Sequence, residues 1–253
     1  MKVTLLQTDI AWADPQENIR RVEAMIAHTD EDSSLYVLPE MWATGFAISP
    51  EGIAEEEASS EALAWMRQTA IDRDCAISGS LAVHLADGTY RNRHYFVTPS
   101  GTSFYDKHHL FTHGHEDCCY TAGSQAVVVE WQGWKWLLLT CYDLRFPVFS
   151  RYGRAGLYDG IILVANWPEQ RQPAWEVLTR ARAMENQCYV LAVNRAGSDP
   201  VTTYVGGSMV IDPIGRIVAE AEAGRPNTVT AQPDIEKLRS MRQRFRVLSD
   251  RDT

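Results

Sequence analysis

Three tight turns constrain this chain more than any other feature: Pro99-Ser100-Gly101, Gln132-Gly133 and Pro213-Ile214-Gly215. Each separates two strand-like runs, at 91–98 and 102–106, 127–131 and 134–142, and 206–212 and 216–221. Such pairs read as β-hairpins. Hairpins join antiparallel strands, so a wholly parallel sheet is excluded. Elsewhere strand and helix alternate. Runs at 2–10, 34–39, 75–84, 161–165 and 188–193 read as strands, most of them too apolar to face water. Asp14-Pro15 offers a helix start, with Asp14 as cap and Pro15 in the first turn, followed by Ile19, Val22, Met25 and Ile26 at helical spacing. Further helices are expected at 58–73, 151–156, 175–187 and 234–246. The expected class is mixed α/β, and two stacked sheets, each covered by helices, would use every element.

Composition agrees with one compact unit. Apolar residues make up 45% of the 253, enough to bury a full core and to exclude disorder. No internal repeat or linker divides the chain, so a single domain over 1–253 is expected. A net charge of −9 argues against a general nucleic-acid binder, which needs clustered Lys and Arg. The longest apolar stretches, at 136–139 and 161–165, fall far short of the ~20 residues of a membrane span. The opening MKVTLLQTDIAWAD lacks the long apolar centre of a secretory signal, so a cytoplasmic protein is expected, with no membrane partner. The five cysteines are odd in number and sparse, which argues against a disulfide framework. Cys118 and Cys119 lie near His113 and His115, but no second pair with zinc-ligand spacing exists, so no metal site is expected.

Three stretches place a reactive side chain at the end of an apolar run: Glu40 in SLYVLPEMW, Lys107 in TSFYDKHHLF and Cys141 in WLLLTCYDLRFP. Strand ends are rigid and open onto loops, which suits function. A cysteine followed by a helical turn or flanked by a cation is also well placed for activation. Each residue has a plainer reading. A cysteine beside an apolar strand is by default a small core residue, which is how Cys75 and Cys188 are read. Glu40 alone could cap a strand, and Lys107 alone could be a solvated charge. The recurrence of the pattern favours a site.

Together these stretches resemble the Glu-Lys-Cys signatures of the nitrilase superfamily of carbon–nitrogen hydrolases, and in the family's order. The N-terminal strand with Asp14, Pro15 and Asn18 resembles the family's opening, and CYDLRFP is the most specific string. NWPEQRQPAWEVLTRARAMENQCYVLAVNRAG, followed by YVGGSMVIDPIG, is similar to the omega-amidase branch, which includes 2-oxoglutaramate amidases. One departure is Val148, where many members carry Glu after the proline of the nucleophile segment.

The resemblance implies a four-layer α-β-β-α sandwich, a homodimer, a small linear amide as substrate and no cofactor. It implies Cys141 as nucleophile, Glu40 as general base, and Lys107 with the backbone N–H of Tyr142 as oxyanion donors. Glu116 matches the second glutamate of the family scheme, whereas its plain reading is a solvated loop charge. An omega-amidase must also hold a free carboxylate, for which bidentate Arg is suited. Arg171 is the leading candidate and Arg195 the second, while Arg145 is expected to brace the scaffold. Trp42, Phe111 and Trp167 are expected to wall a small pocket, with His113 and His115 at its edge or on the surface. The alternatives are an N-carbamoyl amino acid hydrolase using the same triad, and a non-catalytic binding protein on this fold.

Overall fold

The computed structural model describes residues 1–29 and 33–251; the last two residues of the expected domain lie outside these. In chain order the first half contains β1 (Val3–Gln7), α1 (Pro15–Ala27), β2 (Leu35–Val37), β3 (Glu55–Glu56), α2 (Glu61–Arg73), β4 (Ala76–His84), β5 (Tyr90–Thr98), β6 (Gly101–Asp106) and α3 (Glu116–Cys119). The second half opens with β7 (Val128–Trp131), β8 (Trp134–Thr140), β9 (Gly160–Ala165), α4 (Gln172–Glu185) and β10 (Tyr189–Asn194). It ends with β11 (Ala196–Ser198), β12 (Thr203–Val205), β13 (Met209–Ile211), β14 (Ile217–Glu220), β15 (Asn227–Ala231) and α5 (Ile235–Arg244).

All three turns are hairpins, joining β5 to β6, β7 to β8 and β13 to β14 in antiparallel pairs. One sheet runs β15-β1-β2-β4-β5-β6, with β3 beside β4, and the other runs β14-β13-β10-β9-β8-β7. Each has three parallel strands at its centre, β1-β2-β4 in one and β8-β9-β10 in the other. Antiparallel strands flank both centres. The hairpins therefore supply strands of the flanks, while crossover connections, with α1, α2 and α4 among them, build the middle.

Side-chain alternation along the strands builds three apolar layers. Leu5, Val37 and Phe96 of one sheet meet Leu138, Ile162, Val164 and Leu191 of the other in a common core. On the far side of the first sheet, Leu6, Tyr36 and Ile77 pack against Val22 and Ile26 of α1 and Leu63 and Met66 of α2. On the far side of the second, Leu137, Leu139, Leu163 and Val190 pack against Trp175 and Ala183 of α4. The fold is thus an α-β-β-α sandwich. The alternation also explains why these strands read as continuously apolar, since both faces of each sheet are covered.

The helix starts follow local chemistry. Asp14 accepts a hydrogen bond from Glu17 N–H at 3.0 Å and caps α1, with Pro15 in the first turn. Ser60 caps α2 through Leu63 N–H, and Asp234 caps α5. Residues 151–156, expected to be helical, form turns instead. Gly153 and Gly156 there adopt φ of +93° and +103°, outside the helical region. The strands β11, β12 and β15 escape the sequence reading because they are short or polar; in β15 only Val229 is buried.

Candidate active site

Four chain segments end in one cleft. Glu40 follows β2, Lys107 follows β6, Cys141 follows β8 and Asn166 follows β9. β2, β8 and β9 are parallel-centre strands, and the cleft lies at their carboxyl ends, where α/β sheets leave an open crevice. All of Glu40, Lys107 and Glu116 are buried, and Cys141 is 9% exposed.

Lys107 Nζ lies between two carboxylates, 2.8 Å from Glu40 Oε1 and 2.8 Å from Glu116 Oε2. Asn92 Nδ2, from β5, donates to both acids, at 2.7 Å to Glu40 Oε1 and 3.0 Å to Glu116 Oε1. Ser80 Oγ holds Asn92 Oδ1 at 2.8 Å, and Phe111 N–H donates to Glu116 Oε2 at 2.6 Å. The other Glu40 oxygen, Oε2, accepts from Asn166 N–H at 2.9 Å, while Asn166 Nδ2 donates to the Glu40 main-chain oxygen at 2.8 Å. Removing one member of such a buried set would leave an uncompensated charge.

These surroundings set the protonation states. Burial opposes the charge on Lys107, but Glu116 and Glu40 outweigh it and hold the ammonium above its ordinary range. Burial and the charge of Glu40 push the Cys141 thiol well up, against the pull of Lys107. The resting sulfur is therefore a neutral thiol beside a carboxylate. Burial also raises Glu116, opposed by Lys107.

Cys141 begins a five-residue 3-10 turn, Cys141–Arg145, and its φ is +45°, a left-handed conformation that non-glycine residues adopt only under constraint. Asp143 supplies the constraint. Its carboxylate accepts from Thr140 N–H at 2.9 Å, Tyr105 Oη at 2.7 Å, and His109 N–H and Nδ1 at 3.0 and 2.8 Å. Tyr142 is the second residue of the turn, so its N–H is among those the turn itself leaves without an acceptor. A carbonyl oxygen meeting the sulfur would have Lys107 and this N–H as available donors.

A cavity of about 550 Å³ opens onto Cys141. Its lining includes Phe46, Phe111, His113, Tyr142, Arg145, Asn166, Trp167, Arg171, Thr202 and Tyr204. No lining residue is acidic. Arg171 lies 5.1 Å from the centre of the Phe111 ring and Arg145 5.1 Å from that of Trp167. Neither guanidinium is in an ion pair among the described residues. This corrects the expectation that Arg145 braces the scaffold. Arg195 does brace it: the side chain is fully buried and donates to the main-chain oxygens of Ile10 and Ser198.

Phe111 and Trp167 wall the cavity as expected, and His113 lines it. Trp42 does not. The absence of a side chain at Gly79 makes room for its indole, which a Cβ there would approach to 3.0 Å. Trp42 instead packs in the core under α2, its ring 5.3 Å from that of Trp65. Glu116 is no solvated charge; it is fully buried at the start of α3. Val148 is exposed, so the departure from the superfamily's glutamate removes nothing from the cavity. Asn92 and Asn166 went unnoticed in the sequence. Asn92 gives no signal, since it stands between Arg91 and Arg93, whereas Asn166 directly follows an apolar strand.

Comparison with known proteins agrees with this geometry. A carbon–nitrogen hydrolase family profile matches residues 2–243. An omega-amidase of Yersinia enterocolitica is 41% identical, covering 100% of this chain and 97% of that protein. A 2-oxoglutaramate amidase of Bacillus subtilis is 34% identical, covering 98% and 96%. A solved carbon–nitrogen hydrolase superfamily protein from Xanthomonas campestris, with an arsenic adduct in its active site, superposes with a TM-score of 0.94 at 37% identity, covering 100% and 97% of the two chains. The chain belongs to the carbon–nitrogen hydrolase family, within the nitrilase superfamily.

Proposed function

We propose that this protein is an omega-amidase, a cysteine amidohydrolase that splits a short dicarboxylate monoamide such as 2-oxoglutaramate into acid and ammonia. The observation that carries the substrate class is the cavity beside Cys141, lined by two unpaired guanidiniums and no acid. A linear substrate can present its amide to the sulfur and its free carboxylate to Arg145 or Arg171.

In this reading Glu40 is the general base and Cys141 the nucleophile. Because the thiol is held neutral, it must lose its proton as it attacks. Glu40 Oε1 already accepts from Lys107 and Asn92, so Oε2, which accepts from Asn166 N–H, receives that proton. The sulfur bonds to the amide carbon, and the electron pair moves onto oxygen, where Lys107 and Tyr142 N–H stabilise it. Collapse expels the nitrogen, which takes the proton from Glu40 and leaves as ammonia. Water then attacks the thioester with Glu40 again as base, and the thiol returns. Glu116 acts by holding Lys107 charged and in place. An oxyanion donor of this kind lowers the barrier by about 3 kcal/mol.

The same reading takes residues 1–253 as one domain, a homodimer in the cytoplasm. A single cooperative melting transition and a dimer mass by light scattering are the expected results. The decisive experiment is ammonia release from linear monoamides, N-carbamoyl amino acids and nitriles, beside Cys141→Ala. Monoamides with a free carboxylate should turn over fastest, and Cys141→Ala should be inactive while melting like wild type. Preferred release from carbamoyl compounds, or a fully active Cys141→Ala, would reject the assignment.

A further inference from the structure

We propose that the side-chain carbonyl of Asn166 accepts a hydrogen bond from the substrate's amide nitrogen, making this residue a selector of amides over esters. The inference rests on the amidohydrolase reading and concerns the same cavity.

Asn166 is 4% exposed and lines the cavity next to Cys141. Its polar atoms divide into two groups. The N–H and Nδ2 are both committed to Glu40, at 2.9 and 2.8 Å, and the main-chain oxygen lies 4.0 Å from Cys141 Sγ. The side-chain oxygen, Oδ1, is buried and has no hydrogen-bond partner. Buried carbonyls are nearly always paired, and an exception calls for a reason. The Nδ2 bond to the Glu40 main-chain oxygen fixes the side chain, so Oδ1 cannot turn away to find a donor elsewhere.

The chemistry places a donor at this spot. The departing nitrogen must sit beside Glu40 Oε2, the oxygen that returns the proton. Asn166 is the residue bonded to that oxygen. A primary amide brings two N–H groups. One can face Glu40, and the other needs an acceptor. Arg145 and Arg171 offer only donors. Asn166 Oδ1, beside Glu40 and without a donor of its own among the described residues, is such an acceptor. An ester has oxygen in place of the nitrogen; it brings no N–H and sets lone pair against lone pair.

The test uses the full-length protein with succinamate and monomethyl succinate, which differ only in the leaving group. For wild type, Asn166→Ala and the near-isosteric Asn166→Leu, kcat/KM is measured on both. The variants also lose the Nδ2 bond to the Glu40 main-chain oxygen, so both activities should fall, but the amide should fall about tenfold further, the size of one ordinary hydrogen bond. An equal loss on both substrates would reduce Asn166 to a brace for Glu40 and overturn the proposal. Binding to Cys141→Ala, read by calorimetry, needs no change at Asn166: succinamate should bind about tenfold more tightly than the ester, and equal affinity would also overturn it. Wild type inert towards every amide would instead reject the amidohydrolase reading itself.

Discussion

At the scale of single residues the site is a problem in charge. One ammonium, two carboxylates and a thiol share a space that water scarcely reaches, and each protonation state depends on the others. Glu40, Lys107 and Cys141 were legible in the sequence because each ends an apolar run and because their strings resemble a family. Asn92 and Asn166 were not, because an asparagine's task depends on which strands become neighbours. Arg145 was expected to brace the scaffold on the resemblance alone, and the structure sets it in the cavity lining instead. The unpaired state of Arg145 and Arg171 leads to a prediction. Arg145→Ala and Arg171→Ala should each raise KM for a dicarboxylate monoamide about tenfold or more, the range for a hydrogen bond to a charged group, with a smaller change in kcat. A neutral amide of equal length should be unaffected. Unchanged KM in both variants would place the carboxylate elsewhere.

At the scale of elements, Asp143 acts as a staple. It ties the Cys141–Arg145 turn to Tyr105 of β6 and to His109, two residues beyond Lys107. The nucleophile and the ammonium come from different sheets, so some bond between the sheets must set their separation. The sequence showed a turn after β8 and a hairpin ending near Lys107, but not their connection, since Asp143 and Tyr105 lie far apart along the chain. Tyr105→Phe removes one arm of the staple and keeps the ring in the core. It leaves the buried Asp143 short of a donor, which costs about 1–3 kcal/mol. The midpoint of urea unfolding should fall accordingly, and kcat should fall with it. A variant with wild-type midpoint and rate would show that the remaining bonds to Asp143 suffice.

At the scale of the whole molecule, the two sheets meet over a core that is apolar except near the site, and His94 is one of the exceptions. It points from β5 between the sheets, fully buried, with Nε2 2.8 Å from Ser78 Oγ. Burial lowers its pKa from 6.5 to about 3, against the opposing pulls of the Leu139 main chain and of Asp143. The neutral ring is therefore retained in the folded protein far into acid, while the unfolded chain takes up a proton near pH 6.5. Between those two values the unfolded state binds more protons, so stability declines as pH falls, and above pH 6.5 His94 adds no slope. The decline approaches about 1.4 kcal/mol per pH unit well inside that window. Ser78 and His94 read as ordinary strand residues in the sequence, because only the second sheet makes their face an interior. Urea unfolding of wild type and His94→Gln at pH 7.5, 6.5, 5.5 and 4.5 separates this contribution from those of the carboxylates, which both proteins share. The variant should be less stable at neutral pH and lose stability more slowly on acidification, so that the two curves converge. Parallel curves would mean that His94 takes up its proton without opening the sandwich, and that acid acts first on the carboxylates around Lys107.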